Sequence, residues 1–378
     1  MDWQARAAGP PSVPHCRFHA ATRSLQALPG EAAFWPEKSA DGGTLCPFFA
    51  RNQHHMTVKL LGISNAIVDI LANVEADFLD KVNAPPGSMT LIDEARAREI
   101  YDMMGPATEM SGGSVANTVA GFASLGGRAA YIGKVRNDQL GDIFTHDMRS
   151  LGVDVRLPPA TDGAATARSH ILITPDGQRT MQTYLGACTE LAVADITAAT
   201  VGEPDIALLE GYVWDIAEGP ALAAAAVELV RKAGGKVALS LSDSMCVERH
   251  QKEFASFVRD AADLVFADED EMMALLQVKT FEEVPPLAAQ LPPLFVITRS
   301  AKGSVLIKGE KQIQQDAIRV DKVVDSTGAG DSFTAGFLYA YTNGMSLDKC
   351  ARAGTFCATQ VIQQIGARID KDALDELD

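Results

Sequence analysis

From Met56 onward the chain repeats one pattern. Short apolar runs that do not alternate with polar residues are separated by longer stretches of helical periodicity. The runs are "KLLGIS" (59–64), "AAYIGKV" (129–135), "IALLEG" (206–211), "KVALSLS" (236–242), "LVFAD" (264–268) and "LFVITRS" (294–300). A strand with one wet face alternates; one that is apolar throughout has both faces covered, as in a parallel sheet. The intervening stretches, such as 114–126, 219–235 and 331–344, supply the covering helices. The fold class expected is therefore α/β: a doubly wound, mostly parallel sheet. Two regions, near 65–92 and 154–187, break the rhythm and read as strands with no helix between them, with "PDG" (175–177) as a hairpin turn. A small antiparallel sheet standing off the main one, placed as a lid over the strand C-termini, accounts for both.

Residues 1–55 are set apart. They carry Pro, Gly and Trp without helix or strand period and hold His15, His19, His54 and His55. They lack the apolar core of a signal peptide, and Asp2, Glu31, Glu37 and Asp41 suit a transit peptide poorly. This segment reads as a disordered or misannotated extension, with the folded domain at 56–378.

Charge and cysteine content narrow the function. A formal net charge of -16 excludes a phosphate-backbone binder that relies on clustered Lys and Arg, so no nucleic-acid partner is expected. No run of 18 apolar residues occurs, so no membrane span is expected. The six cysteines form no CxxC pair and suit a reducing, cytoplasmic setting.

The chemistry concentrates in "DSTGAGDSFTAGF" (325–337), an apolar, strand-like approach ("AIRVDKVVDST") feeding a glycine turn and a helix read as beginning at Asp331. Gly328, Ala329 and Gly330 let the backbone approach an anion, and unpaired amides with the helix dipole favour it there. The stretch is not a dinucleotide fingerprint, because Phe333 stands at the third glycine, nor a Walker loop. Asp331 in the first turn is expected to be held ionised by the dipole. Phosphoryl transfer to an alcohol needs donors for the moving charge and an acceptor for the hydroxyl proton; an aspartate beside a nest of N–H groups supplies both. The plain alternative is a capping aspartate.

A second cluster, "SGGSVANTVAGFASLGGRAAYIGKVRNDQLG" (111–141), pairs Gly112 with Gly113 ahead of a helix and sets Asn117 one turn on. Paired glycines admit a polyol closely, and an amide both donates and accepts. Asn65 and Asp69 follow the first strand, where substrate hydroxyls would lie.

These two motifs together resemble the PfkB family of carbohydrate and nucleoside kinases, over everything after Met56. The resemblance implies a ribokinase-like fold with ATP and Mg²⁺ as cofactors, and K⁺ beside the anion hole in some relatives. It implies Asp331 as the general base, the amides of Gly328, Ala329 and Gly330 as the anion hole, and Asn65, Asp69, Gly113 and Asn117 on the sugar hydroxyls. Thr298, Ser300 and Gly303 of "TRSAKGS" match the nucleotide stretch, with Ser300 where many members have Gly, and Gly354 and Cys357 fall near adenine. The Asn-x-x-Glu motif that organises Mg²⁺ through water becomes Asp268-Glu269-Asp270-Glu271, so Glu271 is kept and Asp268 replaces Asn.

Within the family the chain is most similar to the adenosine kinase branch, through "NAIVDI", 77–92 and "EGYVWDIAEG" (210–219). Tyr212, Val213, Trp214, Ile67 and Met181 are then candidates to wall a purine. The expected partners are ATP and a nucleoside, with a simple sugar or a non-catalytic nucleoside sensor as alternatives, and the protein is expected to be a monomer or a lid-mediated homodimer. An NAD-dependent oxidoreductase is argued against by the missing glycine.

Overall fold

The computed structural model describes residues 58–369; the segment 1–55 read as an extension lies outside them. In chain order the strands are β1 (Leu60–Ile63), β2 (Ile67–Asn73), β3 (Met89–Leu91), β4 (Thr108–Gly112), β5 (Ala129–Ile132), β6 (Asp154–Val155) and β7 (Ala167–Ile173). They continue as β8 (Arg179–Tyr184), β9 (Ile206–Glu210), β10 (Lys236–Ser240), β11 (Leu264–Asp268), β12 (Leu294–Thr298), β13 (Ser304–Lys308) and β14 (Lys311–Gln315).

Nine of them form the main sheet in the order β14-β13-β12-β11-β10-β9-β1-β5-β6. It is parallel from β12 to β6, and β13 and β14 join antiparallel at one edge. The doubly wound α/β expectation holds, for the reason given by the sequence. Successive residues of one strand enter different cores. Leu60 packs with Val115, Val119, Phe333 and Phe337 of helices Ser114–Ser124 and Ala329–Thr342. Leu61 packs on the other face with Leu222, Ala226 and Val230 of helix Gly219–Lys232. With both faces buried, no position on the strand can be polar without losing burial free energy, about 1.5–3 kcal/mol for each large aliphatic side chain.

The order reverses about β1, which has β5 on one side and β9 on the other. Chain leaving β1 and β9 diverges to opposite halves of the sheet and opens a crevice at their C-terminal ends, where ligands bind in sheets of this kind.

The second sheet has five strands, ordered β3-β8-β7-β2-β4. It is the expected lid, with the 175–177 turn joining β7 to β8, but it differs in three ways. It is mixed rather than antiparallel, since β2 runs parallel to β7 and β3 to β8. That pairing follows because β2 and β7 each reach the lid after a passage through the main sheet. A helix, Ala76–Lys81, does lie between β2 and β3. The strand β4 also belongs to the lid, whereas 154–155 belongs to the main sheet.

One further expectation fails. The "AIRVDKVVDST" approach to the glycine turn is not a strand; the last strand ends at Gln315. Val323 and Val324 are 55% and 40% exposed, because beyond β14 no neighbouring strand covers them. The chain instead leaves the sheet and leans on a helix end, with Val324 N–H donating to Ile362 O at 2.8 Å.

Candidate active site

The glycine turn ends in Gly328, whose φ of +72° is left-handed, and a Cβ there would come within 2.3 Å of Ala367 Cβ. Only glycine fits both the torsion and the contact. Gly328 therefore caps the helix, which begins at Ala329, two residues earlier than the periodicity predicts. The amide of Ser332 closes the first turn on Gly328 O at 2.8 Å, so the preceding amides face out of the helix end. That of Ala329 is turned onto Ser326 O at 3.2 Å. A Cβ on Gly330 would meet nothing within 4 Å, so the space in front of the helix end is open.

Asp325, at the start of the motif, is buried and braces this turn. Its carboxylate accepts from Thr327 N–H at 2.7 Å and Gly366 N–H at 2.8 Å, and it pairs with Arg179 of β8, a lid strand.

Asp331 is the third residue of the helix and faces the start of helix Ser114–Ser124. It accepts from Ser114 Oγ at 2.7 Å and Asn117 Nδ2 at 3.1 Å, while Thr118 Oγ1 donates to its carbonyl at 3.2 Å. The dipole argument for a depressed pKa does not prevail. Burial pushes the carboxyl up to about 6, outweighing the hydrogen bonds from Ser114 and Asn117 and the attraction of Arg368. A carboxylate with a pKa near 6 is ionised at neutral pH and still basic enough to take a proton.

The predicted polyol contacts converge here. Asn65 follows β1 and is buried, its Oδ1 without a hydrogen-bond partner. Asp69 lies on β2 against Gly112, where a Cβ would be 2.2 Å from its Oδ2. Burial raises Asp69 to about 7; Arg368 and Arg179 lower it and Asp331 raises it. Gly113, at φ +95°, brings the backbone against Asn65 O. Asn117 turns Nδ2 to Asp331 and accepts from Arg368 Nη1 through Oδ1 at 2.7 Å.

Three members of the site were not anticipated. Glu210 ends β9, is buried to 1% exposure and leaves Oε2 unpartnered; burial raises it to about 8 against hydrogen bonds from Ser64, Asn65 and Val115. A carboxylate closing an otherwise apolar buried strand was a readable signal. Ser114 was hidden in a glycine-rich run. Arg368 lies 251 residues from Asn117, and nothing local marks it.

The candidate purine wall is partly corrected. Val213 and Trp214 belong to the core, Trp214 with its ring 4.9 Å and 5.0 Å from Phe254 and Phe257, because the short helical turn after β9 directs them into the core on the face covered by helix Gly219–Lys232. Tyr212, Ile67 and Met181 remain partly exposed. Tyr212 has its hydroxyl pKa raised, first by burial and then by Asp243 and Glu210.

Along the nucleotide stretch, Thr298 ends β12, and Ser300 takes a left-handed φ of +49°, a conformation that glycine adopts at least cost. Gly303, at φ +82°, turns the chain into β13. Gly354 and Cys357, expected beside adenine, are buried and pack against helix Ala329–Thr342. A Cβ on Gly354 would lie 2.8 Å from Phe333 O, and one on Gly336 would lie 2.6 Å from Cys357 Sγ.

Asp268 and Glu271 form a reciprocal cap on helix Glu269–Leu276, with Glu271 N–H to Asp268 Oδ1 at 2.8 Å and Asp268 N–H to Glu271 Oε2 at 2.9 Å. Glu271 is buried, and that burial followed by repulsion from Asp268 raises it to about 8; Asp268 is raised too, chiefly by burial. Among the described residues no three His, Cys, Asp or Glu side chains could hold a metal together. The pair fits Mg²⁺ only as outer ligands, since two hard oxygen donors match an ion that keeps several waters and takes its other ligands from phosphate.

Residues 103–374 match the pfkB family of carbohydrate kinases. An adenosine kinase from Sinorhizobium meliloti is 44% identical, with a TM-score of 0.78 over 82% of this chain and 96% of that one. A probable sugar kinase from Rhizobium etli CFN 42 gives the same identity and TM-score over 82% and 95%. A nucleoside kinase of Methanocaldococcus jannaschii is 22% identical over 82% of this chain and 95% of the relative. The chain is a phosphotransferase of the pfkB family.

Proposed function

We propose that this kinase transfers the γ-phosphoryl group of ATP to the primary alcohol of a nucleoside, with the 5′-hydroxyl of adenosine as the preferred acceptor. The observation that carries the reading is Asp331: a carboxylate raised to about 6, fixed by Ser114 and Asn117, beside a helix end that opens onto free space.

The acceptor's ring hydroxyls fit the unpartnered Asn65 Oδ1 together with the carboxyl of Asp69 and the amide of Asn117, which already serves Asp331 and Arg368. Asp331 takes the proton of the attacking hydroxyl. The outward amides at Gly328 and Gly330 receive the charge of the transferred group, and that of Ala329 joins them if it leaves Ser326 O. Asp268 and Glu271 would hold Mg²⁺ through water, and the ion would supply neutralisation of charge on the phosphates. Thr298, Ser300 and Gly303 line the approach for the nucleotide. Arg179 anchors the lid to Asp325, so lid closure and the shape of the glycine turn are joined through one ion pair.

A purine is supported by the partly exposed Tyr212, Ile67 and Met181, and by the likeness to a protein described as an adenosine kinase. A simple sugar is the second reading. Trp214 is withdrawn into the core, which leaves Tyr212 the one aromatic of the proposed wall, and a relative equally similar is described as a probable sugar kinase. The scattered buried thiols support a cytoplasmic setting.

The decisive experiment compares adenosine, inosine, ribose and fructose as acceptors with ATP and Mg²⁺. Adenosine should exceed the bare sugars in kcat/KM by about 5- to 150-fold, since stacking a base contributes roughly 1–3 kcal/mol and the ring contacts are shared. Equal use of ribose would replace the nucleoside reading with the sugar reading.

A further inference from the structure

Three consecutive residues after the last helix tie the two halves of the site together. Gly366 N–H donates to Asp325, Ala367 packs against Gly328, and Arg368 reaches Asn117 on the opposite helix. We propose that Arg368 is a positioning residue for the phosphoryl transfer, its guanidinium fixing the amide of Asn117 so that the N–H end, never the carbonyl, faces Asp331.

The geometry is directional. Arg368 Nη1 donates to Asn117 Oδ1 at 2.7 Å, and Asn117 Nδ2 donates to Asp331 Oδ2 at 3.1 Å. Reversing the amide would set a carbonyl against the carboxylate and an NH₂ against the guanidinium, two repulsions in place of two bonds. Arg368 is itself held in its fork geometry, because Nη2 donates to both Ser111 O and Ser111 Oγ and lies 3.6 Å from Asp147 Oδ2. Ser111 N–H in turn donates to Asp147 at 2.9 Å. The charge therefore sits at one address.

Asp331 is otherwise faced by acids. Asp69 comes from β2, Glu210 from the end of β9, and Glu271 from helix Glu269–Leu276; helix Ser114–Ser124 contributes the neutral Ser114 and Asn117 to the carboxylate and Thr118 to the carbonyl. Arg179 bears on Asp69 rather than on Asp331. Arg368 is thus the cation whose field lowers both Asp331 and Asp69.

This inference rests on Asp331 being the base, and the test separates the two. Purified Arg368→Gln and Arg368→Lys are compared with the parent enzyme on its best acceptor, following kcat against pH, KM for acceptor and ATP, and Tm. Arg368→Gln should lose about a hundredfold in kcat, the scale of a misplaced catalytic group. Its acid limb should move up by about one pH unit, because a nearby positive charge is gone. Arg368→Lys should return the limb to the parent's position yet recover kcat only in part, since an ammonium cannot bridge Asn117 and Ser111 as a fork does. KM for ATP should stay within about twofold in both, as uniform binding is untouched. A folded glutamine variant with the parent's limb and kcat overturns the proposal. So does a lysine variant whose limb stays displaced, which would mark Arg368 as packing alone. Should the glutamine variant not fold, the lysine variant decides: full parental kcat is the overturning result. If the parent itself transfers phosphate to no nucleoside or sugar, the reading of the site has failed, not the assignment of Arg368.

Discussion

Replacing Asp331 by Asn removes the proposed base while keeping the side chain's shape, and the structure sets what else changes. One oxygen still accepts from Ser114, but the new NH₂ meets Asn117 Nδ2, which cannot turn because Arg368 holds its other end. Turnover should fall by about 10²–10⁴-fold, or about 3–5 kcal/mol of transition-state stabilisation, with KM for ATP little changed. Stability should move the other way. Asp331 has a pKa of about 6 in the folded protein against 3.8 for the free group, so between those values the native state binds the extra proton. Its contribution is therefore most favourable below pH 3.8 and is lost as pH rises through 6, leaving a cost of about 3 kcal/mol at neutral pH. Asparagine carries no such cost, though the clash with Asn117 returns part of it. The expected result is an inactive enzyme with Tm at pH 7.5 equal to or a few degrees above the parent, and a smaller difference at pH 5. Product formation would be followed directly by chromatography, with the parent's kcat falling on an acid limb near pH 6. Near-normal turnover in Asp331→Asn would falsify the assignment; a large loss of Tm at both pH values would show that the carboxylate is structural.

Other perturbations follow from single features of the fold. Gly328→Ala places a methyl group in a left-handed position and against Ala367, so it should cost about 1–2 kcal/mol for the torsion alone and raise KM for ATP; a protein with unchanged Tm and ATP affinity would refute the role of this turn. Glu271→Gln keeps a cap of the same shape but removes an acidic group raised to about 8, so the Mg²⁺ concentration giving half-maximal rate should rise several-fold with Tm unchanged or higher; an unaltered Mg²⁺ curve would remove Glu271 from the metal's surroundings. His170, buried in β7, has its pKa lowered to about 4, first by burial and then by Arg168. The unfolded chain binds a proton below 6.5 and the folded chain only near 4, so this neutral histidine's stability is whole above pH 6.5 and shrinks as pH falls toward 4. About 3 kcal/mol is involved, and unfolding in urea at pH 7.5 and pH 4.5 should show His170→Met losing less on acidification than the parent. Equal losses would place the acid sensitivity elsewhere.

Much of the architecture was legible because it depends on local alternation. "LVFAD" is a strand from 264 to 268 as read, since a run buried on both faces can be recognised without knowing its neighbours. The glycine turn, its helix and Asp331 were legible for a related reason: torsion, close approach and an outward helix end are properties of neighbouring residues. What failed was whatever needed the distance across the fold. The 317–327 stretch has a strand's composition but lies past the last partner strand, and Trp214 has the chemistry of a base-stacking wall but turns toward Phe254 and Phe257.

The order of residues alone determined the layered sheet, the glycine turn and the placement of an acid beside it, because each is set by interactions over a few positions. Only the tertiary structure decided the state of that acid. Its charge is governed by Ser114 and Asn117, 217 and 214 residues away, by Arg368, and by the loss of water around its carboxyl. Desolvation and Coulomb interaction act through space and ignore separation along the chain, so the helix dipole that the sequence pointed to is outweighed by the burial that folding imposes.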